Sequence, residues 1–132
     1  RGTARHVAFV TPRTGAGEDA LEWLASAASA DTVALYMASR QAPTIAAALV
    51  AAGRSPSTPA CVVENATLAS ERIVATTLGA LARQAPLALD GPAVLLVGEV
   101  FREASSSRPG LPWTPVAQSG SIASERRNVT GR

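Results

Sequence analysis

Few residues of this chain are equipped for bond-making chemistry. His6 is its single histidine and Cys61 its single cysteine. A serine nucleophile would depend on His6, yet no Gly-x-Ser-x-Gly elbow occurs, and His6 reads as a structural or surface residue. One histidine and one cysteine do not make a zinc site without several carboxylates, so neither metal nor catalytic residues are expected. Cys61 lies inside an apolar run and reads as a small buried hydrophobe. Gly15-Ala16-Gly17-Glu18-Asp19-Ala20 matches the dinucleotide fingerprint G-x-G-x-x-G/A between a strand and a helix. Glu18 and Asp19 would repel a pyrophosphate at that helix start, and no ribose-binding acid ends the second strand. A solvated loop is the better reading.

Two other positions deserve a chemical reading. Met37 closes the apolar run of residues 32–37, just before Ala38 and Ser39. Core filling is one role; packing a polarizable thioether on a ribose or a sulfur-bearing ligand is another. Ala66 follows Val62-Val63-Glu64-Asn65. It is an ordinary turn residue, or a small side chain that lets backbone groups approach a purine.

The elements that would position these residues alternate between strand and helix. Strands are expected over residues 5–11, 32–37, 60–64, 71–76 and 93–100. The second is apolar enough to be covered on both faces. A helix over 18–29 puts Leu21, Leu24, Ala25 and Ala28 on one face. A second, over 40–52, takes Ser39 as N-cap and Pro43 in its first turn, buries Ile45, Ala48, Leu49 and Ala52, and stops at Gly53. A third, over 77–84, turns Leu78, Leu81 and Ala82 inward. This alternation predicts an α/β fold: a mixed β-sheet flanked by helices, partly antiparallel near residues 60–76. From Ala104 onward Ser, Pro, Gly and Arg dominate. The chain therefore divides into a domain of residues 1–103 and a mobile tail of residues 104–132.

Charge and composition exclude several functions. Residues 1–101 carry seven Arg against eight acids, whereas residues 102–132 carry five Arg against two Glu. The net +2 therefore resides in the tail, and no basic stripe with interleaved aromatics marks a nucleic-acid surface. No run approaches the ~18 apolar residues of a membrane span. A lone cysteine and no signal-peptide pattern suit the cytoplasm. The sequons at Asn65 and Asn128 then read as chance matches.

Several blocks, in order and with short gaps, resemble the tetrapyrrole methylase family over residues 1–103. They are Arg1-Gly2-Thr3-Ala4-Arg5 leading into Val7-Ala8-Phe9-Val10-Thr11, then Leu35-Tyr36-Met37-Ala38, then residues 46–53 and 59–67. Glu71-Arg72-Ile73-Val74, Thr76-Thr77-Leu78 and Val97-Gly98-Glu99-Val100 complete the set. The likeness is greatest to the uroporphyrinogen-III C-methyltransferase branch, including the methylase part of siroheme synthase, and only to its C-terminal half. It implies S-adenosylmethionine as cofactor and a tetrapyrrole substrate, uroporphyrinogen III, converted to precorrin-2 for siroheme or cobalamin synthesis. It also implies a homodimer of two-domain subunits. Met37 corresponds to the cofactor-contacting Met of a Tyr-Met motif, Ala66 to the position whose backbone lies against the adenosine, and Ala93 to the adenine slot.

The family's Gly-rich first loop and acid/base residues belong to an N-terminal domain that has no counterpart before Arg1. This chain is therefore expected to supply half of a cofactor cleft and to be inactive alone. A non-catalytic assembly or dimerisation module is the alternative, and an oxidoreductase using Gly15 to Ala20 is a third reading.

Overall fold

The computed structural model describes residues 2–12, 20–85 and 87–103. The Gly15-to-Asp19 part of the fingerprint and the tail at 104–132 lie outside the described residues. Along the chain run β1 (Val7–Val10), α1 (Ala20–Ser29), β2 (Thr32–Tyr36), α2 (Ala42–Ala51), β3 (Pro59–Glu64), β4 (Arg72–Thr77), α3 (Leu78–Ala82) and β5 (Ala93–Gly98). Single 3-10 turns, Ser39–Gln41 and Glu99–Phe101, precede α2 and follow β5.

The strands form one mixed sheet in the order β1-β2-β5-β3-β4. Only β1 and β2 are parallel, joined through α1; β2–β5, β5–β3 and β3–β4 are antiparallel. Because side chains alternate along a strand, the register sorts the sheet into two faces. One face carries Val10, Leu35, Leu95, Val62 and Val74 in one row, and Ala8, Val33, Val97 and Ala60 in the next. These residues join Ala27 of α1, Ala42, Ile45, Ala46 and Leu49 of α2, and Leu78 and Leu81 of α3 in a single core. Many of them are alanine, which lets the helices sit close to the sheet.

The opposite face carries Val7, Phe9, Ala34, Tyr36, Val94, Leu96, Cys61, Val63, Ile73 and Ala75. It is apolar, yet Phe9 is 72% exposed and Val7 and Tyr36 are nearly half exposed. Among the described residues the helices pack on one face only, yet β2 is buried on both faces from Thr32 to Leu35, as its apolar run predicted, and emerges only at Tyr36.

Local signals explain most boundaries. Asp31, between α1 and β2, accepts the N–H groups of Arg5 and His6 at 2.8 and 2.9 Å, which pins the start of β1. The Gly53 N–H donates to the Val50 carbonyl and the Arg54 N–H to that of Leu49, both at 3.0 Å. This paired closure ends α2 where the glycine was expected to end it. The Arg54 guanidinium then donates to the Ala27 and Ala30 carbonyls at 2.9 and 2.6 Å, placing a cation on the open C-terminus of α1. Gly98 has φ +154, and a Cβ there would lie 2.8 Å from the Asp31 carbonyl oxygen; only glycine lets β5 pass so close to that turn.

Three sequence expectations need correction. Ser39 does not cap α2: it opens the 3-10 turn, and Gln41 holds the cap position without a side-chain hydrogen bond. The inward side of α1 runs through Trp23, Leu24 and Ala27, and Ala25 is exposed, because the helix rotates to bring its indole onto the core. In α2 the buried set is Ala42, Ile45, Ala46 and Leu49, with Ala52 exposed beyond the helix end.

Candidate functional site

At one end of the sheet β2 and β3 leave and β4 and β5 enter. There Tyr36 lies opposite Val94, Val94 opposite Val63, and Ala93 opposite Glu64, which in turn faces Arg72. On the helix-free face this end opens into a shallow groove of about 340 Å³, lined by Tyr36, Val63, Asn65, Ala66, Leu68, Pro92, Ala93 and Val94. Ala66 and Ala93, singled out from sequence, share this groove. Met37 does not line it; it follows Tyr36, which does, and its side chain is 81% exposed.

The backbone around the groove is unusual. Among the described non-glycine residues, positive φ occurs only at Met37 (+55°), Asn65 (+51°) and Thr67 (+70°), and all three sit at this end of the sheet. The Leu68 N–H donates to the Asn65 carbonyl at 3.0 Å, so residues 65–68 form a turn with Ala66 and Thr67 at its centre. Positive φ at the third residue but not the second defines a type II turn, a place normally filled by glycine or asparagine. A β-branched residue there is strained, and strained residues that gather in one spot point to a site. Glu71 holds the strain by accepting the Thr67 N–H at 2.7 Å.

A residue that the sequence reading passed over organises the second wall. Glu64 is 4% exposed. Its Oε1 accepts the N–H groups of Asp90 and Gly91 at 2.6 and 2.9 Å. Its Oε2 lies 2.9 Å from Arg72 Nη2, which also donates to the Ala88 carbonyl at 2.8 Å. The Gly91 N–H above all, then the Asp90 N–H and the Arg72 charge, hold the Glu64 carboxyl below its ordinary pKa against the opposing effect of desolvation. The Asn65 N–H donates to the Pro92 carbonyl at 2.9 Å, and a Cβ at Gly91 would fall 1.9 Å from Asn65 Oδ1. The signal for this arrangement was an acid and an arginine at matching ends of a hairpin, Glu64 and Arg72.

Chemically the groove offers contact surface and no reactive side chain. None of its lining residues is a carboxylate, imidazole or thiol. Burial pushes the Cys61 thiol up to about 11, which leaves it inert as a nucleophile at neutral pH. An apolar floor with turn backbone at its rim suits a flat, weakly polar group such as a nucleoside.

The groove lies at one end of the mixed sheet of an α/β domain. The profile of the tetrapyrrole (corrin/porphyrin) methylases matches residues 2–82, and the chain belongs to that family. It is 40% identical over 104 residues to a uroporphyrinogen-III C-methyltransferase of Pseudomonas aeruginosa, covering 78% of this chain and 42% of that protein. It is 35% identical over 103 residues to a siroheme synthase of Hydrogenovibrio crunogenus, covering 77% of this chain and 22% of the relative. Among solved structures, the uroporphyrin-III C-methyltransferase of Thermus thermophilus in complex with S-adenosylhomocysteine superposes with a TM-score of 0.65 at 30% identity, over 78% of this chain and 46% of that one. A cobalt precorrin-4 methyltransferase of cobalamin biosynthesis superposes at 0.58 and 27% identity, over 74% and 42%. The chain spans less than half the length of these relatives.

Proposed function

We propose that this chain is the C-terminal domain of an S-adenosylmethionine-dependent uroporphyrinogen-III C-methyltransferase and provides part of its cofactor cleft. The observation that carries this reading is the meeting of Ala66 and Ala93 in one apolar groove, beside the exposed Met37. The volume lies at the lower end of the ~300–1,000 Å³ of small-molecule sites, as befits one wall of a cleft shared with more polypeptide. Val63, Val94 and Leu68 offer apolar contact to an adenosyl group. The turn at 65–68 brings backbone to its edge, and Met37, exposed next to Tyr36, is accessible to a ligand that reaches past the rim. The cofactor, when bound, supplies a sulfonium methyl group for transfer to the tetrapyrrole carbon.

The residues that line the groove bind and orient; none of them is a carboxylate or imidazole that could move a proton. Glu64, beside the groove, has both oxygens committed to Asp90, Gly91 and Arg72, and Glu71 accepts the Thr67 N–H. In-line transfer and removal of the ring proton therefore fall to other parts of the full enzyme. Residues 1–132 alone bind weakly and turn over nothing. Calorimetry with S-adenosylhomocysteine tests this: a heat of binding that Met37→Asp abolishes is expected, with none from NAD. Silence with S-adenosylhomocysteine, or methylated product from the chain alone, overturns the reading.

The helix-free face supports a second role. Phe9, Val7 and Tyr36 form an exposed apolar patch next to the groove. Such a surface is suited to burial against further polypeptide of the same enzyme, an N-terminal domain or the second subunit of a homodimer.

A further inference from the structure

We propose that Glu64, bridged by Arg72, is a positioning residue that sets the separation of the two walls of the groove. One wall is the turn at 65–68, which begins at the residue after Glu64. The other is the segment entering β5, which carries Pro92 and Ala93 into the groove. Residues 83–92 contain no helix or strand among those described, so no ladder of their own holds this segment in place. Leu87 and Leu89 pack it against the core and the Asn65 N–H ties its Pro92 carbonyl, and between these anchors it is held by three hydrogen bonds to one pair of side chains. Asp90 and Gly91 donate to Glu64 Oε1, and the Ala88 carbonyl accepts from Arg72.

The chemistry of the pair fits that task. A carboxylate buried to 4% exposure persists only when its charge is met, and here two backbone N–H groups and a guanidinium meet it. Directly beyond it the Asn65 N–H reaches the Pro92 carbonyl, and the Asn65 side chain occupies the space that a side chain at Gly91 would need. The walls are thus tied together at Asn65 and Pro92, the residues immediately before Ala66 and Ala93. A misplaced wall removes the fit of a flat ligand without removing any atom that touches it.

The test uses the whole chain, with Glu64→Gln and the more exposed Arg72→Gln as variants. In Glu64→Gln the Asp90 and Gly91 amides are expected to exchange with deuterium at least tenfold faster. The amide resonances of Ala66 and Ala93 should move, while those of Leu35 and Leu49 in the core stay put. Affinity for S-adenosylhomocysteine should fall about tenfold, and Arg72→Gln should shift the same readouts by a smaller factor. If Glu64→Gln does not fold, Arg72→Gln alone decides. Unmoved Ala66 and Ala93 resonances, or unchanged affinity in a folded but less stable variant, overturn the proposal and leave Glu64 a stabilising residue only. The ligand arm rests on the reading of the groove as an adenosyl site. If the unaltered chain binds no S-adenosylhomocysteine, that reading fails, and the exchange and resonance data still decide the role of Glu64.

Discussion

Phe9 of β1 and Tyr36 of β2 stack with ring centroids 6.4 Å apart and planes inclined by 22°, on the face that no described helix covers. A stacked pair open to water contributes little to the fold it sits on, of the order of 0.2–1 kcal/mol. It is better placed to meet another surface. Phe9→Ser is expected to change unfolding free energy by less than about 1 kcal/mol. The same change should lower binding of a hydrophobic dye and any self-association seen by sedimentation. A large loss of stability would mean that the face is already covered within the chain.

The core behaves differently. Leu35 is fully buried and lies opposite the equally buried Leu95 in the central pair of strands. Leu35→Ala leaves a cavity in a core whose alanines have no reach with which to fill it. The expected cost is about 3–5 kcal/mol by urea unfolding, enough to consume much of the stability of a domain this size.

Two backbone substitutions should act in opposite directions. Thr67, at φ +70°, gains from Thr67→Gly because relief of the steric cost exceeds the entropy that glycine adds to the unfolded chain. A stabilisation of about 0.5–1 kcal/mol is expected from thermal denaturation. Gly98→Ala instead forces a Cβ to 2.8 Å from the Asp31 carbonyl oxygen. It should destabilise by more than about 2 kcal/mol in the same assay.

The acid limb of stability follows from two carboxylates. Glu64 and Asp31 both titrate below their ordinary values of 4.5 and 3.8 when folded, held mainly by the backbone N–H groups of Gly91 and Arg5 respectively. The unfolded chain therefore binds more protons in this range, and stability falls with falling pH. The contribution is complete above about pH 5 and is lost progressively as pH drops through the lowered folded values. Urea midpoints should be level from pH 7 to 5 and decline below. Glu64→Gln should make that decline shallower.

Cys61 offers a probe of global opening. With its pKa at about 11, roughly one thiol in ten thousand is ionised at pH 7, and the side chain is buried. Alkylation should be slow in buffer and complete only in denaturant. Fast labelling would show that β3 is accessible on the helix-free face.

Much of the fold was legible because its strands are short apolar runs bounded by residues with clear local roles. Residues 32–37, 60–64 and 93–100 each contain a strand, and Gly53 ends α2 through its hydrogen bonds. The runs overshoot where backbone conformation, not polarity, ends the strand. Met37 is apolar but left-handed, so β2 stops at Tyr36; Val100 is apolar but lies in the turn after Gly98. Strand order was not legible, since pairing β5 with both β2 and β3 is a long-range choice that no local pattern encodes. The groove was half legible. Ala66 and Ala93 stood out through a family resemblance, but Glu64 looked like the polar end of an apolar strand. Its partners, the N–H groups of Asp90 and Gly91, leave no trace in side-chain identity.

The insertion of β5 between β2 and β3 also bears on how the molecule is made. The piece at the middle of the sheet is the last of the described strands to leave the ribosome, so β1–β2 and the β3–β4 hairpin wait as two separate halves with bare edges. Neither can close on the other, and the long-range pairing that joins them makes assembly slow and vulnerable to clumping. Synthesis halted before Ala93 would yield no smaller version of this domain, only two unfinished ribbons.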